Sequence, residues 1–321
     1  MHTRRGALQG LAAGAAALVA GRAFAEDGVL TVFVGAASSM DFTARLIAEQ
    51  YRVTLGRPAL MVSKLGAGQR LALGEVKRAA PDGRNLVFAT SGPFSVYPYI
   101  YNKLDYDPVA DFTPIAGISF FDVAIATGPM TGVKDLKELI EWQRRQKEPV
   151  FGSAPGNGSL SHFVGISTNL ATGLHMTHVA YKDSGVGIID LASGRLPMMI
   201  TGLQPMVEMH KAGRIKLLAV SGSVRSPLVP EVPTLREAGV DVSSSTYTGV
   251  FGPPKMAPEL VAKLHDAVAP MLSNPVILEK FAQQGMTPWP ATPQQLAALL
   301  ADERKRFEAL VKASGMPRED A

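Results

Sequence analysis

Cysteine is absent from the 321 residues, which removes a disulfide scaffold, a thiolate zinc site, an iron–sulfur cluster and a cysteine nucleophile together. Charge is sparse as well. Asp, Glu, Lys and Arg make up 19% of the chain against 46% hydrophobic residues, a balance that buries a core and argues against disorder. Bases exceed acids only slightly, 32 to 28 for a net +4. Three of those bases, Arg4, Arg5 and Arg22, lie in an N-terminal stretch with no acid, so residues 26–321 carry +1. No basic surface for nucleic acid is left to account for.

Local signatures of catalysis are missing too. The chain has no Gly-x-Ser-x-Gly elbow, no Ser-x-x-Lys, no His-Glu-x-x-His and no Gly-x-x-x-x-Gly-Lys-Ser/Thr phosphate loop. Gly66-Ala67-Gly68 departs from the dinucleotide fingerprint because Leu71 stands three residues on. His175 and His178 enter an expected strand, where a spacing of three places them on opposite faces rather than on one metal. Asp105, Asp107 and Asp111 lack calcium-loop spacing and read as turn and cap chemistry. No metal and no cofactor is expected.

What is there begins with residues 1–25: Arg4 and Arg5, an apolar stretch from about Ala7 to Ala20, then Ala23-Phe24-Ala25 before Glu26. That is the pattern of a cleaved export signal. Thr3-Arg4-Arg5 resembles a twin-arginine signal, although Ala7 stands where that pattern favours a large apolar residue. Beyond it no apolar run reaches the roughly 20 residues of a membrane span, so a soluble, periplasmic protein is expected.

After the leader, apolar runs alternate with helical periodicity. Strands are expected at Val29–Val34, Ala59–Val62, Leu86–Thr90, Ile115–Ile118, Val123–Ala126, Val150–Ser153, Met176–Tyr181, Met198–Thr201, Leu217–Ser221 and Gly249–Gly252, with helices such as Leu136–Gln146 and Ser159–Ala171 between them. Such alternation argues for parallel sheets covered on both faces. Ten strands are too many for one ordinary sheet. The stretches near Asp122–Thr131 and Val240–Pro254 read as connectors, so the chain would cross twice between two units. The C-terminal third reads as helix, with a core-packing stripe at Leu296, Leu299, Leu300, Phe307, Leu310 and Val311.

Polar candidates gather at strand ends: Ser38, Ser39 and Asp41 before the first helix, Ser91 after Thr90, and Ser153 through Gly156, Asn157, Gly158 and Ser159. Glycines allow close backbone approach, and free amides at the following helix start attract a carboxylate or phosphate without Arg or Lys. A competing reading makes each loop a helix cap and nothing more.

In order and spacing, several stretches resemble the extracytoplasmic solute receptors of tripartite tricarboxylate transporters, the Bug type. They include Asp41-Phe42-Thr43-Ala44-Arg45, Gly66-Ala67-Gly68, Ala80-Pro81-Asp82-Gly83, Phe151-Gly152-Ser153 through Ser159-Leu160-Ser161-His162, His178-Val179-Ala180-Tyr181-Lys182, Lys211-Ala212-Gly213 and Val232-Pro233-Thr234. The resemblance implies an α/β, two-lobe periplasmic-binding-protein fold of the type II, Venus-flytrap kind with two inter-lobe crossings. Lobe 1 would comprise 26–122 plus 245–321, and lobe 2 would comprise 123–244. It further implies a small organic acid as solute, membrane permease subunits as partners and a monomeric chain without enzymatic activity. Carried over by position, the first lobe's loops at Ala37–Asp41, with Ser38 and Ser39, and at Ser91 would face the second lobe's Ser153–Ser159 loop, the segment after Tyr181 with Asp183, and the segment Thr201–Gln204 across a cleft. Asp183 replaces the family's usual Gly after Tyr181-Lys182, and Ala37-Ser38-Ser39 replaces its Pro-Gly-Gly. Two alternatives stay open here: an exported enzyme acting on a small acid, with His162 as base beside Ser159 or Ser153, and a solute sensor for a signalling partner.

Overall fold

A computed structural model describes residues 28–36 and 39–320; the expected export signal at 1–25 lies outside the described residues. Eleven strands are described: β1 (Leu30–Val34), β2 (Ala59–Ser63), β3 (Asn85–Thr90), β4 (Thr113–Phe121), β5 (Val123–Thr127), β6 (Val150–Ser153), β7 (Thr177–Ala180), β8 (Met199–Gly202), β9 (Lys216–Val220), β10 (Thr246–Gly252) and β11 (Met286–Pro288). They form two sheets, six strands in the order β11-β4-β10-β3-β1-β2 and five in the order β7-β6-β8-β5-β9.

The expectation of parallel sheets needs correction, because both sheets are mixed. β1, β2 and β3 run parallel, as do β6, β7 and β8. β10 is antiparallel to β3 and β4, and β5 is antiparallel to β8 and β9. Parallel neighbours need a crossover helix, whereas β5 and β10 each enter their sheet from a strand of the other with no helix between, β10 after the irregular segment 221–245. Between β4 and β5 only Asp122 intervenes, so half of the connector expected at Asp122–Thr131 is strand. β10 likewise occupies much of the one expected at Val240–Pro254.

Each sheet is covered on both faces. Leu30, Val32 and Val34 alternate into a core closed by helices Ser39–Leu55 and Pro258–Val268. The opposite face of that sheet packs Val87, Ala89 and Phe251 against Ala72, Leu73, Leu296 and Leu300. In the second sheet, Ile125, Phe151 and Ile200 meet helices Leu136–Arg144 and Leu160–Thr172 on one side. Ala124, Ala126 and Met199 meet Ile188, Leu191 and Met206 on the other. β5 is buried along its whole length, which suits its continuous apolar run.

Not all of the C-terminal stripe is ordinary core. Phe307 and Val311 of helix Pro293–Ser314 join Val96, Ile100 and Phe163 in a cluster that spans the two sheets' units. Rings of Phe163 and Phe307 meet edge-on, 5.0 Å apart. The helical reading of that third also missed a break: helix Pro258–Val268 runs into a 3-10 turn at Ala269–Ser273, and helix Pro275–Gln283 leads into edge strand β11.

Candidate functional site

Between the two sheets lies a cavity of about 520 Å³ at the carboxyl ends of the parallel strands, where open α/β sheets bind ligands. Ala36 and Ser91, just beyond β1 and β3, line it from one side; Ala154, Lys182 and Gly202, at or just beyond the ends of β6, β7 and β8, line it from the other.

Local sequence builds the second side. Ser159 is the N-cap of helix Leu160–Thr172: its Oγ accepts from the His162 amide at 3.1 Å and donates to the Gly156 carbonyl at 2.8 Å. Gly156 and Gly158 adopt φ of 60° and 71°, a region where side chains are strained. A Cβ on Gly158 would also fall 2.2 Å from Ile100 Cδ1. The cap satisfies His162 and the Ser159 carbonyl takes the Phe163 amide. The amides of Leu160 and Ser161 are thereby left with no hydrogen-bond partner among the described residues, as the first turn of a helix requires. Both residues line the cavity. Ser161 is only 2% exposed, yet its hydroxyl also has no partner there.

A second helix start converges on the same space. Asp183 caps helix Ser184–Ala192, its Oδ1 accepting from the Gly185 amide at 2.7 Å. Ser184 and Thr201 share a hydroxyl contact of 2.7 Å, and Thr201 donates to the Ala154 carbonyl at 3.3 Å. Lys182 is the only lysine or arginine among the described lining residues. Opposite, Gln69 clamps Thr90 twice, Nε2 donating to Oγ1 at 2.6 Å and Oε1 accepting from the Thr90 amide at 3.1 Å.

Of the residues expected at the site, Ser91, Asn157, Gly158, Ser159, Asp183 and Thr201 line the cavity. Four do not. Asp41 pairs with Arg45 one helical turn on, at 3.1 Å; Ser153 is buried with its hydroxyl 2.7 Å from His178 Nε2; Gly156 gives its carbonyl to the cap; and Gln204 is exposed at the start of its helix. Ser38 and the Ser39 side chain lie outside the described residues. Sequence reasoning missed Gln69, Thr90 and Ser161 as lining residues, whereas Lys182 and Ser184 fall in the segment after Tyr181 that was expected there. Ser161 stood inside a quoted motif, and its place beside an expected helix start was the available signal. Gln69 offered none, since it depends on a left-handed backbone, φ 75°, which places it under Gly35.

The catalytic alternative does not find its pair: Ser153 Oγ meets His178 rather than His162, and Ser159 Oγ meets backbone groups. His162 Nδ1 accepts from the Gly158 amide at 3.2 Å, so the ring faces backbone rather than Ser159 Oγ. Its ring stacks on His178, centroids 3.9 Å apart. Burial and then the neighbouring His178 push the His162 imidazolium down to about 4, and burial depresses His178 too. Among the described residues no cluster of His, Asp or Glu could hold a metal ion.

Two mixed sheets covered by helices, joined by two connectors with a cavity between them, define a two-lobe solute-binding fold of the periplasmic-binding-protein kind. More narrowly, residues 43–316 match the family described as tripartite tricarboxylate transporter family receptor, and the chain belongs to that family. A UPF0065 protein of Bordetella bronchiseptica is 30% identical over 287 residues, 89% of this chain and 85% of that protein. Among solved structures, the R. palustris protein Rpa4515 with adipate superposes with a TM-score of 0.81 at 26% identity, covering 91% of this chain and 99% of that one. MatC of Rhodopseudomonas palustris with bound malate gives 0.76 at 30% identity, covering 89% and 99%. The family and its structural relatives are solute receptors, and this chain is a receptor rather than an enzyme.

Proposed function

We propose that the chain is a periplasmic receptor that closes two lobes, 26–122 with 245–321 and 123–244, around a small organic carboxylate and delivers it to the membrane permease of a tripartite tricarboxylate-type transporter. One observation carries the ligand class: the amides of Leu160 and Ser161 and the Ser161 hydroxyl, none with a partner among the described residues, belong to residues that line one cavity. Three such donors at a helix start suit a carboxylate, and Lys182 adds a cation at the rim. Adipate and malate in the related structures support the same chemistry. Uptake rather than sensing is favoured by the family's description as a transporter receptor. No helix among the described residues is long and apolar enough to cross a membrane, which accords with a receptor that meets its permease as a separate chain.

A ligand that binds only the native state stabilises it by RT ln(1 + [L]/Kd), about 2.7 kcal/mol at a hundredfold excess over Kd. Thermal denaturation of the purified protein with malate, adipate and other mono-, di- and aromatic carboxylates is the direct test. At least one acid should raise Tm, and Ser161→Ala should reduce that rise while leaving the ligand-free Tm unchanged. The reading fails if no acid shifts Tm and scattering shows no compaction with any of them.

A further inference from the structure

The C-terminal tail beyond helix Pro293–Ser314 returns to the first lobe and then reaches across to the second. Glu319 is fixed by backbone bonds on both sides: its amide donates to the Ile100 carbonyl at 2.8 Å, and its carbonyl accepts from the Asn102 amide at 2.9 Å. A parallel bridge with Tyr101 and an Asn102 Nδ2 to Asp320 Oδ1 bond of 3.0 Å complete the attachment. With the backbone so held, the Glu319 side chain meets the other lobe, where its Oε1 accepts from Asn157 Nδ2 at 2.7 Å. Asn157 belongs to the glycine loop and lines the cavity. Its neighbour Gly158 packs on Ile100 so closely that a Cβ would not fit. Residues 100–102 therefore touch the tail on one side and the glycine loop on the other.

We propose that Glu319 is a positioning residue of the solute cleft: its carboxylate holds the Asn157 amide, and with it the glycine loop, against the first lobe, so that the tail sets how far the cleft closes. Separation of the lobes must break this bond, because its donor and acceptor belong to different lobes. The bond is charge-assisted and exposed, so it contributes about 1 kcal/mol, equivalent to about a fivefold change in a rate or equilibrium.

The rate measurement rests on the receptor function proposed above; the scattering measurement does not. In stopped-flow displacement of bound malate, Glu319→Ala is expected to raise the dissociation rate about fivefold. Glu319→Gln, which keeps an acceptor oxygen, should stay within about twofold of wild type. In scattering of the ligand-free protein, Asn157→Asp should expand the radius of gyration as Glu319→Ala does, because it sets two carboxylates face to face. The double change Asn157→Asp with Glu319→Gln exchanges donor and acceptor and should restore the wild-type radius, a rescue that a merely structural role would not give. Ligand-free Glu319→Ala should show a larger radius of gyration than wild type, and Arg318→Ala on the same tail should not. The proposal is overturned if Glu319→Ala leaves the radius of gyration at the wild-type value, if the double variant fails to recover, or if Arg318→Ala moves as far. Should wild type bind none of the acids, the receptor function fails while scattering of the ligand-free variants still decides the clasp.

Discussion

His162 is the residue whose protonation the glycine loop can least tolerate. Its Nδ1 must stay unprotonated to accept from the Gly158 amide, and a charge on it would face the stacked His178 ring. The native state therefore holds the imidazolium down to about 4, whereas the unfolded chain titrates near 6.5. Between those values the unfolded state binds more protons, so stability is complete above about pH 6.5 and is lost progressively as pH falls toward 4. By the usual conversion of a pKa difference, the loss approaches about 3 kcal/mol. Chemical denaturation from pH 7 to 4.5 should show wild type weakening more than His162→Asn, which lacks the titrating ring. Equal pH dependence in the two would place the acid sensitivity elsewhere.

At the scale of elements, the glycine loop and helix Leu160–Thr172 act as one unit joined by Ser159. Replacing it with Ala removes both the cap on His162 and the tie to Gly156. Loss of such a cap costs about 1 kcal/mol of stability, and here the freed loop should also weaken solute binding. Calorimetric titration and a denaturant midpoint together check this; lowered stability with unchanged affinity would mean that the loop holds its shape without the cap. This unit was legible in the sequence because caps and glycines are local signals, and Ser153–Ser159 was read there with nearly correct boundaries. Strand positions were equally legible from apolar runs. Strand direction was not, since β5 and β10 owe theirs to chain crossings that no local pattern encodes. Phe307 packs as core, as its stripe implied, but in a cluster the stripe could not locate: it stands in register with Leu296 and Leu300, which pack under the first sheet, and about two turns beyond Leu300 the helix meets Phe163 of the other unit. Asp183 lines the cavity, though its carboxylate turns back to cap its own helix.

At the scale of the molecule, the two lobes are tied together where the chain crosses between them. Asp122 forms the first crossing, and Ser245, on the second, donates to its Oδ1 at 2.6 Å. The second crossing is also held by helix Pro293–Ser314: Arg306 donates to the Ser243 carbonyl and the Ser244 hydroxyl at 3.3 and 3.2 Å. Arg306 in turn neighbours Glu303, a carboxyl 4% exposed that accepts from Ser95 Oγ at 3.0 Å and is pushed up by burial. The connectors are thus tied to each other by a part-buried hydrogen bond and to the last helix by exposed ones. Asp122 bears a cost for its place: burial raises its pKa against the opposing Ser245 bond, so the native state disfavours the ionised form. That penalty is absent below the unfolded pKa, near 3.9, and grows as pH rises through the native value. Asp122→Asn keeps an acceptor for Ser245 without the charge. Its Tm should exceed that of wild type at pH 7, and the gain should vanish near pH 3.5, where both side chains are neutral. A variant less stable than wild type at pH 7 but not near pH 3.5 would show that the connector needs the ionised carboxylate itself, and that the crossing is braced by charge rather than by the hydrogen bond.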